Sequence, residues 1–444
     1  MRNIGIVGAG LVGSLLAIFL KKKGFNVDIY ERRPDMRKNT IPAGRSINLA
    51  LSERGWKALI KAGIDEEIRK VGIPMSGRFI HPVTGESQFQ PYGKDNQAIF
   101  SVSRATLNSV LMDLAEHEGA KIHFQQRIKQ VNLSKASILT EDEKGQEKES
   151  GFDHLLGADG AYSAARLSLQ MTDRFEYSQH YLEHGYKELT IPPVNGDWAL
   201  PSNALHIWPR QRYMLIALPN LDKSFTCTLF FPFEGEDSFA SIQTPEQVRL
   251  FFERTFPDAV PLMPTLENDF INNPTSSLVT VKCFPWSWED KLLLIGDAAH
   301  AIVPFFGQGM NCGFEDCTKL DELLDSGKNM QEIFETFQQQ RKPNTDAIAE
   351  LAQDNFVEMR DRVADPKFLL RKKIEARFHA RHPEKWLPLY SMVTFSHIDY
   401  AQALEEGRRQ EQIMSKIMEI PDLASKWDSE EVESLIDQFL LELA

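Results

Sequence analysis

Asn3-Ile4-Gly5-Ile6-Val7-Gly8-Ala9-Gly10-Leu11-Val12-Gly13 is a short apolar strand running straight into three spaced glycines. Apolar Leu11, Leu15, Ile18 and Phe19 then recur at helical spacing, and a second strand, Asn26 to Tyr30, ends at Glu31. A glycine triplet between strand and helix, with an acid about 20 residues further on, is the dinucleotide-binding fingerprint. Gly8 permits the tight turn, Gly10 lets backbone N–H groups approach a pyrophosphate, and Gly13 lets helix and strand pack closely. Glu31 would accept hydrogen bonds from an adenosine ribose, and its charge disfavours a 2′-phosphate there. The turn therefore suits FAD or NAD better than NADP, with Leu11, Val12 and Arg32 as further candidates to line it.

Two later stretches repeat the grammar of a buried strand, a tight turn holding one acid, and a helix start. Phe152 to Leu156 runs into Gly157-Ala158-Asp159-Gly160, with Arg166 in the helix that follows. Asp159 reads either as a ligand to a cofactor or as a helix cap. Leu292-Leu293-Leu294-Ile295-Gly296-Asp297 leads to Pro304-Phe305-Phe306-Gly307-Gln308-Gly309-Met310-Asn311, a glycine-rich turn that opens a helix. Such a turn presents free N–H groups to an anionic ligand.

Composition narrows the class. The 444 residues are long enough for two interleaved domains. Acidic residues number 63 against 50 basic, a net charge of −13, which opposes binding to nucleic acid or an anionic membrane. Four cysteines without metal-ligand spacing favour a reducing cytoplasm. No apolar run has the length of a membrane span, and Glu430 to Ala444 reads as an amphipathic helix packed on the body.

From about Tyr177 to Phe284 alternating strands predict an antiparallel sheet with helices behind it, inserted into a discontinuous first domain. The expected division is 1–75, 100–176 and 285–330 for cofactor binding, 76–99 and 177–284 for the inserted sheet, and 331–444 for closing helices. Met214, Ile216 and Leu218 share a strand face with Phe230 beside them, forming either a pocket for a flat apolar ligand or ordinary core. Ser52 is expected to cap a helix from Glu53 to Ala62. Arg104 at a helix start works against the macrodipole unless it faces an anion. Arg45 reads as a phosphate contact or a surface side chain. Arg371 to Lys373 and Arg377 to His382 form a basic patch, either solvated or facing a second nucleotide.

Taken in order, Gly8-x-Gly10-x-x-Gly13 with Glu31, Asp159-Gly160 with Arg166, and Gly296-Asp297 resemble the single-component FAD-dependent aromatic hydroxylases, the p-hydroxybenzoate hydroxylase group. Within it, Arg45 to Ser52, His184 to Leu189 and Pro304 to Asn311 resemble the kynurenine-hydroxylating branch, where Phe305 replaces the second proline usual in the wider group. The resemblance implies an α/β Rossmann-like FAD-binding domain with an inserted antiparallel substrate sheet and C-terminal helices. Gly8, Gly10, Gly13 and Glu31 would hold the ADP half of FAD. Arg45 and Arg104 would contact its diphosphate and ribityl parts, and Asp297 the ribityl chain. Asp159 would support FAD and the nicotinamide path together. Gly307, Gly309, Met310 and Asn311 would stabilise charge near the flavin ring.

The same resemblance assigns Arg78, Tyr92, Asn355 and Tyr390 to the carboxylate of L-kynurenine. Met214, Ile216, Leu218, Phe230, Pro304 and Phe305 would sandwich its ring. The implied reaction reduces FAD with NADPH and passes one atom of O2 to ring carbon 3 through a flavin C4a-hydroperoxide, with no side-chain nucleophile and no metal. NADPH would bind transiently, since no second fingerprint exists. Eukaryotic relatives carry a C-terminal membrane segment, so the tail here implies a soluble bacterial-type enzyme, monomer or homodimer. The alternatives are a flavin hydroxylase of another aromatic acid, a halogenase (Trp286-Ser287-Trp288 superficially resembles its motif), and a flavin-binding interaction protein.

Overall fold

The computed structural model describes residues 2–38, 47–83, 86–93, 97–362 and 365–443. Asn3–Val7 lies in the middle of a six-stranded sheet. Asn26–Tyr30 pairs with it in parallel on one side and His154–Gly157 on the other, with Leu292–Leu294 parallel beyond. Ser287–Trp288 closes that edge antiparallel. Val7 is in register with Gly157, and Gly157 with Leu294. The three motif turns, far apart in the chain, therefore leave the same sheet edge side by side. Ligands of open α/β sheets bind at such carboxyl ends.

A seven-stranded sheet stands against this unit, ordered Thr275–Phe284, Glu176–Ile191, Phe225–Pro232, Tyr213–Pro219, Ala204–Arg210, Gly77–Ile80 and Gln88–Pro91. It is not wholly antiparallel as expected, because Ala204–Arg210 and Gly77–Ile80 run parallel. These two strands come from separate segments of chain, so no tight hairpin constrains their sense. Alternation divides the sheet faces. Leu215, Ala217, Leu229 and Phe231 are buried under the helices Pro245–Thr255 and Leu266–Asn272, while Met214, Ile216, Leu218 and Phe230 face the other way. Pro245–Thr255 forms because Thr244 and Gln247 make a reciprocal capping box ahead of Pro245.

C-terminal helices close the space between the sheets. Met330–Val357 runs through Pro343 without a break in the helix. It packs Ala347, Ile348, Leu351 and Ala352 onto Phe305 and the sheet. The last helix, Glu430–Glu442, buries Val432, Ile436 and Leu440 against Ile413, Ile417 and Phe378. The arginines of the basic patch are paired with acids: Arg371 with Glu375 and Glu411, and Arg377 and Arg381 both with Glu433. Among the described residues no helix is long and apolar enough to cross a membrane.

Candidate active site

A cavity of about 1640 Å³ begins at the fingerprint glycines and ends at Arg78 and Tyr390 between the two sheets. At its first end Gly8 has φ +101°, and a Cβ there would lie 2.7 Å from the Ala158 carbonyl oxygen. A Cβ on Gly13 would lie 2.0 Å from the Gly8 oxygen, so strand and helix touch there. A Cβ on Gly10 would meet nothing within 4 Å among the described residues, so the turn faces the cavity. The helix Leu11–Lys22 behind it has no side-chain cap and no acid in its first turn, leaving free N–H groups toward that space.

Glu31 is buried, and its oxygens accept from Ala9 N at 3.0 Å and from Arg33 N and Nε at 3.0 and 2.9 Å. Burial pushes its carboxyl up, but the hydrogen bonds and charge of Arg33 outweigh that and hold it below the usual range. Arg32 is exposed at the cavity mouth. Arg45 and Ser46 lie outside the described residues.

The second turn is more structural than its acid suggested. Asp159 accepts from Ser163 Oγ and from the backbone N–H groups of Ala164 and Ala165 at 2.7 and 3.2 Å. It caps the helix Ala164–Gln170 while still lining the cavity. Arg166 donates to Ala298 O at 2.8 Å and to Ala161 O at 2.6 Å, joining the second turn to the third.

Asp297 differs from both acids. Its carboxylate faces the cavity without a hydrogen-bond donor among the described residues. Burial raises its pKa, opposed by the charge of Arg104, which opens the helix Arg104–His117 at the cavity rim. Asp297 is partly buried on the cavity wall, so its oxygens are open to accept from a ligand there. Beyond it, Gly307 at φ +67° reverses the chain, and the helix Gly309–Leu324 begins with no acid in its first turn. Gly309 and Met310 line the cavity. The Asn311 side chain is spent on Ser52 N, Ala50 O and Gly307 O, so only its backbone can act there. Ser52 caps nothing with its side chain: its N–H donates to Asn311 Oδ1.

At the far end Phe305 stacks on Phe356 at 4.1 Å and leans on Phe230 at 4.8 Å. Phe306 stacks on Tyr390 at 5.6 Å, and Tyr390 on Tyr92 at 5.4 Å. The Arg78 guanidinium lies 4.4 Å over the Tyr390 ring and 5.6 Å from that of Tyr92. Arg78 Nε and the Tyr92 hydroxyl are buried with no hydrogen-bond partner among the described residues. Met214, Ile216, Leu218, Phe230 and Pro304 line the slot beside them.

Asn355 departs from its expected place. Its Nδ2 donates to the Phe305 carbonyl at 2.7 Å and contacts Met359 Sδ at 3.3 Å, so it supports the slot wall from behind. The sequence does not point to every residue around the cavity, as Phe306 on its wall and Glu188 beside it show. Phe306 was readable only as a neighbour of Phe305. Glu188 could have been found by alternation, since Tyr186 two residues before it lines the cavity and its own strand partner is Thr228, another lining residue. One Glu188 oxygen is buried without a partner among the described residues, and burial pushes its pKa up to about 7 against the charge of Arg104.

The fit to FAD is tested by this geometry rather than by resemblance. An open cradle at Gly10, two uncapped helix starts and a partly buried, cavity-facing carboxylate without a donor among the described residues lie along one cavity, matching a pyrophosphate, a ring with a negative edge and a polyol.

The FAD binding domain family matches residues 2–352. A kynurenine 3-monooxygenase of Christiangramia forsetii is 53% identical over 439 residues, 98% of each chain. One of Myxococcus xanthus is 47% identical, covering 100% of this chain and 97% of its own. The chain belongs to the kynurenine 3-monooxygenase family. Membership reaches into eukaryotes, with a Dictyostelium discoideum relative at 46% identity over 94% of this chain and 93% of its own. Among solved structures, 2-methyl-3-hydroxypyridine-5-carboxylic acid oxygenase superposes with a TM-score of 0.67 at 18% identity, covering 82% of this chain and 94% of that one. Pseudomonas aeruginosa PqsL, solved with 2-aminobenzoylacetate, gives 0.63 at 19% identity, covering 81% and 97%. These two share the fold with the family. The wider resemblance to flavin hydroxylases is thereby borne out.

Proposed function

We infer that the chain hydroxylates L-kynurenine to 3-hydroxy-L-kynurenine, using NADPH and O2. One oxygen atom enters the ring, the other leaves as water, and NADPH supplies the two electrons. When bound, FAD supplies the activation of O2. The chain's own residues bind, orient and exclude water.

The observation that supports this reading is the Arg78–Tyr92–Tyr390 stack at the closed end of an apolar slot. A guanidinium and a phenol hydroxyl with unmet hydrogen-bond capacity suit an amino-acid carboxylate. Met214, Ile216, Leu218 and Phe230 would cover one side of an aniline ring, and Pro304 and Phe305 the other. Asn355 would keep Phe305 in place.

For the cofactor, Gly8, Gly10, Leu11 and Val12 would cradle the pyrophosphate, with Gly13 keeping the helix close. Glu31 and Arg32 would meet the adenosine, and Arg104, Asp159 and Asp297 the central portion. Asp297 would accept from ribityl hydroxyls. Backbone N–H groups from Gly307 to Asn311 would stabilise negative charge on the ring.

The test is NADPH oxidation in the FAD-loaded enzyme with product identification. Kynurenine should accelerate oxidation and give 3-hydroxykynurenine in near one-to-one coupling. Rapid oxidation yielding only hydrogen peroxide would sink the substrate assignment.

A further inference from the structure

Behind the flavin helix start lies a run of buried charge for which binding FAD or kynurenine provides no reason. Asp316 Oδ2 accepts from Gly296 N at 3.0 Å, directly beside Asp297, and from His300 Nε2 at 2.6 Å. Its other oxygen accepts from Arg341 Nε at 2.7 Å. Arg341 Nη1 donates to Glu315 at 2.7 Å, and Arg54 Nη1 donates to the other Glu315 oxygen at 2.6 Å. Arg54 then donates through Nε to Val393 O at 3.2 Å and through Nη2 to Ile398 O. Val393 is on the short helix Leu389–Thr394, which carries Tyr390. A side branch leads back: the Arg54 guanidinium stacks 3.9 Å over Tyr400, whose hydroxyl donates to Gln308 at the flavin helix start.

Every charged link but Glu315, whose side chain is 12% exposed, is shielded from solvent. The side chains of Arg54 and Asp316 are fully buried, and that of Arg341 is 1% exposed. Burial lowers the His300 pKa, but Asp316 overrides it and pushes it up to about 10, so His300 is a cation. Three cations thus face two carboxylates. His300, Cys312 and Asp316 also bring ligand-type atoms within 4.8 Å of one another. Both Asp316 oxygens are already taken by donors, so the cluster is an ion-pair network and no metal is needed to explain it. Buried pairs of this kind contribute little net stability over apolar packing, and their best-attested use is to fix one arrangement.

We propose that Arg54 is a positioning residue that couples the two halves of the active site, holding the Tyr390 helix in register with the Asp297 turn through Glu315, Arg341 and Asp316. This rests on the reading that Tyr390 borders the kynurenine site. Arg54 is suited to the task, because one planar guanidinium meets three acceptors: Glu315 on the flavin helix, Val393 on the Tyr390 helix and Ile398 in the loop that follows it. A lysine could satisfy only part of that set. Coupling between two ligands is reciprocal: the factor by which kynurenine tightens FAD equals the factor by which FAD tightens kynurenine.

The experiment measures that factor by equilibrium binding, without turnover. FAD affinity is followed by flavin fluorescence with and without saturating kynurenine, in wild type, Arg54→Met and Arg54→Lys. Arg54→Met leaves two cations facing two carboxylates, so no charge is stranded. In wild type kynurenine should tighten FAD by roughly 5-fold or more, and in Arg54→Met that factor should fall severalfold toward one. Arg54→Lys should give an intermediate value. A merely structural role would weaken both ligands while leaving the factor unchanged, and that result overturns the proposal. If Arg54→Met does not fold, Arg54→Lys and Glu315→Gln carry the test, and an unchanged factor in both overturns it equally. Failure of kynurenine to bind wild type at all would overturn the functional reading first, which separates the two failures.

Discussion

Replacing Arg78 with methionine should damage binding and spare the fold, and the structure says why. No carboxylate hydrogen-bonds Arg78 among the described residues, Glu358 acting only at longer range. Burial, reinforced by Tyr390, holds the Tyr92 phenol protonated, so the stack offers π faces and dipoles but no counter-charge. Without substrate, Arg78 is a cation whose Nε has no hydrogen-bond partner among the described residues. Methionine fills similar volume, and replacing a buried charge by an apolar side chain is often neutral or stabilising, here by about 1 kcal/mol or less. With substrate the balance reverses. Removing one partner of a buried, hydrogen-bonded charge pair costs 2–5 kcal/mol, and about 3 kcal/mol corresponds to ~150-fold in affinity. Kynurenine Kd by titration calorimetry should therefore rise about two orders of magnitude. FAD affinity and the melting temperature should stay near wild type. An unchanged Kd would remove Arg78 from the carboxylate site, and a collapse of melting temperature would show that it is structural.

Gly10→Ala should alter stability by less than about 0.5 kcal/mol, because its Cβ enters empty space, yet weaken FAD at least ~10-fold by occupying the cradle. Gly13→Ala, whose Cβ meets the Gly8 oxygen, should instead cost about 2–3 kcal/mol of stability; equal effects in thermal and flavin-binding assays would refute the distinction. His300 has a raised pKa, so its stabilising contribution is fully present below pH 6.5 and lost as pH climbs through about 10. The melting temperature of wild type should fall across that window more steeply than that of His300→Gln. Glu188 has a carboxyl pushed up to about 7, so ionising it costs stability as pH rises from 4.5 through 7. Glu188→Gln should melt higher than wild type above pH 7 and equally below pH 4.5; a constant difference across pH would count against the buried carboxyl.

Much of the cofactor end was legible because its signals are local. Gly8, Gly10 and Gly13 answer to backbone geometry within a few residues, and the strand-turn-helix grammar at Asp159 and Asp297 can be read one segment at a time. Alternation likewise puts Met214, Ile216 and Leu218 on one strand face. What each acid does was not local. Asp159 and Asp297 end similar strands, yet one is consumed by helix N–H groups and Ser163 while the other has no donor. Asn355 was placed by resemblance at the carboxylate, and packing turned its side chain to the Phe305 carbonyl instead.

The chain's own order of residues thus determined which turns can hold a nucleotide and which strand faces are apolar, because both depend on φ/ψ and on side-chain period. Tertiary structure decided that Arg78 lies over Tyr390, 312 positions away by their numbers, and that Arg54 reaches Val393, 339 residues on. Such contacts arise only when separate surfaces are buried against each other and their charges must find partners, and no local pattern records which partner is found.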